Sequence, residues 1–182
     1  RKPASTSTSY ETLRVQLRKI CEFAKAYNAE VGAIRSSAPK GREIVWLLTK
    51  AAESICDLAG VIQGSGLKYS IQVSKGQSNI PKIVWIAVIL SGKTVANWNS
   101  VTLCFGKNGE GFVCGAMVPV NLNPLGLSLV ERTAKQLLVD LDGNTKASRY
   151  NNKFVNPQEY LFDEFKPENV VEQVKASLTF LE

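Results

Sequence analysis

Lys68-Tyr69-Ser70-Ile71-Gln72-Val73-Ser74 runs into Lys75-Gly76-Gln77-Ser78-Asn79 and then into Ile83-Val84-Trp85-Ile86-Ala87-Val88-Ile89-Leu90; this passage decides the fold. In its first segment Tyr69, Ile71 and Val73 alternate with Ser70, Gln72 and Ser74, the period-two pattern of a half-buried strand. Its last segment is apolar throughout and rich in β-branched residues, which suits a central strand covered on both faces. A polar, glycine-containing loop joins the two.

Downstream, Val101 to Phe105 and Phe112 to Val118 flank Gly106-Lys107-Asn108-Gly109-Glu110-Gly111, which reads as a hairpin with an Asn-Gly turn. Pro119 to Gly126 is an uncharged loop. Leu127 to Leu141 has helical spacing (Leu129, Val130, Ala134, Leu137, Leu138) and closes on Asp142-Gly143-Asn144. Asn144 to Pro157 reads as irregular. A last helix starts near Pro167, with proline in its first turn, and turns Val170, Val171, Val174, Leu178 and Leu181 inward.

Upstream, the period changes from two to 3.6. Tyr10 to Tyr27 is an amphipathic helix with Leu13, Leu17, Ile20, Cys21, Ala24 and Tyr27 on one face. A second helix, Arg42 to about Leu58, points Ile44, Leu47, Leu48, Ala51 and Ile55 inward, and Trp46 is read as core. Ser36 to Gly41 connects the two helices, and Gln63-Gly64-Ser65-Gly66 breaks the second from the sheet. The expectation is an α+β fold: N-terminal helices, a central, mostly antiparallel twisted sheet that is partly open and barrel-like, and C-terminal helices. Residues 1–9 read as a disordered lead-in and 10–182 as one domain, helical over 10–60, sheet over 68–118, helices and loops over 127–182. The first residue is not Met, so the chain is expected to be cut from something longer.

The 182 residues suffice for one full hydrophobic core, and 45% hydrophobic content marks a folded protein. No apolar stretch approaches the roughly 20 residues that cross a bilayer. Four widely spread cysteines (Cys21, Cys56, Cys104, Cys114) without a C-x-x-C pair read as buried reduced thiols, as in a cytoplasmic protein. The chain has no histidine, which removes Ser-His-Asp and Cys-His catalysis and H-E-x-x-H zinc sites. No phosphate-binding G-x-x-x-x-G-K-[ST] loop is present. A magnesium nuclease needs clustered carboxylates, and here the acids lie mainly on helices and in the C-terminal third. No cofactor is expected.

The net charge is +6 and the sequence pI about 9.2, so a polyanion is the first partner to consider. Between Leu58 and Gly109 the chain has five lysines (Lys68, Lys75, Lys82, Lys93, Lys107) and no carboxylate. Lys146, Arg149 and Lys153 form a second basic group. Lysine is ordinarily a solvated surface residue, Gly-Gln-Ser-Asn is ordinarily a turn, and a mid-strand tryptophan is ordinarily core. Trp98, between Asn97 and Asn99, is read either as an exposed aromatic or as a cap on the core.

A strand, Ser74-x-Gly76-x-x-Asn79, a Trp85-Ile86-Ala87 strand, a turn-linked strand pair, a tyrosine-containing loop and a final helix, in that order, resemble the N-terminal DNA-binding domain of the McrB family. These domains recognise target DNA in modification-dependent restriction. The resemblance covers Lys68 to Val118 and, more loosely, Ala147 to Leu181. Gln77 stands where the family commonly has an aromatic residue, and Val84 where it commonly has proline before the tryptophan. The resemblance implies a non-catalytic domain that flips a modified base, a methylated cytosine, out of duplex DNA. The motor or nuclease would then lie on another domain or subunit. It further implies a base pocket of Trp85, Leu103 and Tyr150, with Tyr160 the alternative to Tyr150. DNA contacts would come from Ser74, Lys75, Gly76, Gln77, Ser78, Asn79, Lys82, Lys146, Arg149 and Lys153. Stacking faces worth about 1 to 3 kcal/mol each would offset an unstacking cost of a few kcal/mol. The rival readings are a reader of unmodified duplex that does not flip a base, a protein-interaction module, and a metal-dependent nuclease.

Overall fold

The computed structural model describes residues 8–91, 100–106, 109–119 and 152–182. The helix read over Leu127 to Leu141 lies outside the described residues. So do Trp98, Lys93, Lys107, Lys146, Arg149, Tyr150, the side chain of Lys153 and most of the N-terminal lead-in.

Two helices come first, α1 (Tyr10–Ala29) and α2 (Pro39–Ala59). The Ser9 hydroxyl caps α1 by accepting the Thr12 N–H at 3.1 Å, which satisfies one of the helix's orphan donors. Leu13, Leu17, Ile20, Cys21, Ala24 and Tyr27 are its buried stripe, as their spacing requires. Helix α2 starts with Pro39 and ends at Gly60 in the left-handed conformation.

Five strands follow: β1 (Tyr69–Val73), β2 (Trp85–Leu90), β3 (Ser100–Phe105), β4 (Gly111–Pro119) and β5 (Asn152–Leu161), and then helix α3 (Pro167–Leu181). The sheet is antiparallel throughout, in the order β1-β2-β3-β4-β5. The fold is therefore α+β. Strands β1 and β5 are the two ends of this order, and the sheet is not closed into a barrel. The β3–β4 hairpin is closed where Gly106 N–H donates to Gly111 C=O at 3.0 Å.

Strand β5 corrects the irregular reading of the residues around Asn152 to Pro157. Pro157 hides the strand because it cannot donate to a ladder, yet an edge strand accommodates it. The β4–β5 register shifts between Cys114 and Ala116, beside that proline.

The strand period divides the sheet into two faces. On one, Ile86, Val88, Val101, Leu103, Phe105 and Phe112 join the buried stripes of all three helices in one core. On the other, Ala87, Ile89, Cys104, Val113 and Met117 are buried together, with half-buried Trp85 packed against them. Strand β2 is covered on both faces, in accord with its unbroken apolar run.

Candidate nucleic-acid interface

The loop between β1 and β2 is held from both ends. Ser74 is buried, and its hydroxyl accepts the Trp85 N–H at 2.8 Å while its own N–H donates to the Trp85 carbonyl at 3.1 Å. Lys75 N–H turns back to the Val73 carbonyl at 2.8 Å, a tight three-residue turn that stops the strand. Gly76 then has φ +70, and a Cβ there would stand 2.0 Å from the Asn79 carbonyl oxygen. Only glycine fits that conformation and that approach together. Gln77, Ser78 and Asn79 are exposed.

A second segment, which sequence reasoning treated as an end of helix and a connector, braces this loop. Ser36 N–H donates to the Ser78 carbonyl at 2.9 Å, and the Ser36 hydroxyl donates to the Lys75 carbonyl at 2.7 Å. Ile80 N–H donates to the Ile34 carbonyl at 2.8 Å. The buried Tyr27 hydroxyl ties both sides, donating to the Ile80 carbonyl at 2.6 Å and accepting the Ile34 N–H at 3.1 Å. Gly41 lets the first turn of α2 close onto this brace, since a Cβ there would lie 2.2 Å from the Arg35 carbonyl oxygen. The loop is polar and rigid.

The cations divide by role. Lys75 is exposed and has no ion pair among the described residues. Lys82, expected on DNA, is turned inward. Its ammonium donates to the carbonyls of Tyr27 (2.9 Å), Glu30 (3.2 Å) and Gly32 (2.9 Å) and sits 3.9 Å from the Tyr27 ring centroid. Its three donors are used on one carbonyl of the last turn of α1 and two just beyond it, where the helix dipole favours a cation. Lys68 is paired with the Glu182 carboxylate, whose pKa is lowered by the lysine and by Tyr69 O–H. Of the three lysines of this stretch among the described residues, Lys75 alone is exposed without an ion pair or a backbone carbonyl holding its ammonium.

The expected base pocket also divides. Trp85 pairs with Cys104, and its ring belongs to the face of Ala87, Ile89 and Val113. Leu103 pairs with Ile86 and is fully buried among the helices on the opposite face. The strand period separates the two residues, so Leu103 does not line a pocket with Trp85. Tyr160 lies on the helix side as well. It stacks on Phe112 (5.2 Å between centroids), donates to Gln173 Oε1 at 2.7 Å, and burial pushes its phenol pKa up. Tyr150, the other expected pocket tyrosine, and the basic group Lys146, Arg149 and Lys153 lie where no side chain is described.

Trp46 was expected in the core and is 61% exposed, with the Lys50 ammonium 5.9 Å from its ring centroid. It occupies the position of α2 directly opposite the buried stripe, which the indole's hydrophobicity alone did not reveal. A cleft of about 580 Å³ opens at the same end of the sheet as the loop between β1 and β2, at the β3–β4 turn, lined by Cys21, Glu22, Lys25, Glu110, Phe162 and Asp163 among others. Its acidic rim repels phosphate, and no expected site residue lines it. Among the described residues, no group of three or more His, Cys, Asp or Glu is placed to hold a metal ion, and no helix is long and apolar enough to cross a membrane.

No protein-family model, no curated protein and no solved structure matches the chain.

Proposed function

We propose that this chain is a non-catalytic DNA-recognition domain of a restriction system and that it reads duplex DNA with the loop Lys75 to Asn79. The observation that carries the reading is a rigid, solvent-facing loop of hydrogen-bonding side chains with a cation at its head and Trp85 directly behind it. Such a loop loses little conformational freedom on binding, because its shape is already fixed by Gly76, Ser74 and Ser36. Phosphate contact by Lys75 would position it, and Gln77, Ser78 and Asn79 supply donors and acceptors for base edges. Cleavage and any motor activity would belong to other domains or subunits, acting in the cytoplasm.

In the first form of the reading, a modified cytosine is flipped out of the duplex and stacks on Trp85. That ring is the only aromatic of its cluster among the described residues. In the second form, the loop reads an unmodified duplex through a groove. The placement of Leu103 across the sheet from Trp85 favours the second form, as does exposed Gln77 in place of an aromatic residue.

One binding panel decides between them: plain, methylated and hydroxymethylated duplexes of one sequence, with wild type and Trp85→Ala. Flipping requires preference for a modified duplex that Trp85→Ala abolishes while weak, salt-sensitive binding remains. Equal affinity for all three duplexes leaves groove reading. Failure of the wild-type protein to shift any duplex at low salt overturns both and returns the chain to a protein-interaction role.

A further inference from the structure

The brace beside the loop carries a cation of its own. Arg35 and Asn79 form an isolated antiparallel bridge, flanked by the Ser36 N–H to Ser78 carbonyl and Ile80 N–H to Ile34 carbonyl bonds. In this pattern the two residues themselves exchange no hydrogen bonds. Pairs of that kind have the shorter separation, about 4.5 Å between Cα atoms, and their side chains project side by side on one face. Both Arg35 and Asn79 are exposed, while Ile34 and Ile80 beside them turn toward the core. Arg35 has no ion pair among the described residues.

From this geometry we infer that Arg35 is a phosphate contact on the same lip as Asn79, so that the interface is two paired segments rather than one loop. This rests on the reading of the chain as a DNA-recognition domain. The guanidinium is a planar set of five donors that matches a phosphate's oxygens bidentately, and a neighbouring amide is the usual partner for a base edge. Arg35 takes the place that Lys82 gives up by turning inward. Ser36 is a positioning residue, since its hydroxyl fixes the Lys75 carbonyl and its N–H the Ser78 carbonyl.

The test is the salt dependence of binding to one duplex, measured for wild type, Arg35→Gln, Arg35→Lys and Asn79→Ala. Arg35→Gln should lower the slope of log K against log salt by about 1, equally for all duplexes. Arg35→Lys should restore the slope, because a phosphate accepts either cation. Asn79→Ala should change the preference among duplexes and leave the slope intact. A wild-type slope in Arg35→Gln overturns the inference and leaves the Lys75 to Asn79 reading standing. Absence of wild-type binding to any duplex overturns the functional reading, and this inference with it.

Discussion

Lys82 shows what decides the role of a single lysine. Its sequence context, four residues after Ser78 and free of nearby acids, reads as a surface cation; three carbonyls at and just after the end of α1 hold its ammonium instead. Lys82→Met keeps the apolar stem and removes the charged hydrogen bonds, so urea unfolding should show a loss of roughly 1 to 3 kcal/mol. The salt slope of DNA binding should stay at the wild-type value. Gly76→Ala should act differently, since the added methyl meets the Asn79 carbonyl and the positive φ disfavours any side chain. A stability loss of about 1 kcal/mol or more is expected, together with lost discrimination among duplexes. Trp46→Ala should change stability by less than about 0.5 kcal/mol, because the indole is mostly in water. Of these residues only Gly76 was legible in the sequence, because a glycine in a polar turn announces itself, whereas direction of a side chain does not.

At the scale of elements, α1 and β2 were legible and β5 was not. Helix α1 and strand β2 satisfy their hydrophobic patterns locally, so their residues identify them. Strand β5 exists because β4 offers it an edge and because Phe112 and Gln173 hold Tyr160 between sheet and α3. Gln173 also donates to the Cys114 carbonyl, so one amide joins α3 to β4 and β5. Tyr160→Phe should cost about 1 kcal/mol in chemical denaturation, the usual net worth of one such hydrogen bond, while leaving DNA binding unchanged. An unaltered midpoint would show that the tie is not part of what docks α3.

Across the whole molecule, one core binds α1, α2 and α3 to the sheet, and it encloses three of the four cysteines, Cys21, Cys56 and Cys114. Burial pushes the Cys21 and Cys56 thiols up to about 12 from an ordinary 9.0. A raised folded pKa of an acid means that its stabilising contribution is complete below pH 9 and is lost as pH rises from there toward 12. Alkaline unfolding should therefore steepen in that window, followed by circular dichroism. A thiol reagent at pH 8 should find the cysteines unreactive until denaturant is added. The amino-acid sequence by itself determined the α+β class, the buried stripe of α1, the central strands and the glycine-centred loop, because each depends on residues close in the chain. Only the tertiary structure decided which cations face solvent, which face of the sheet holds Trp85, and that Arg35 stands beside Asn79. Those depend on segments distant in sequence meeting, and a hydrogen-bond partner many residues away leaves no trace in local pattern.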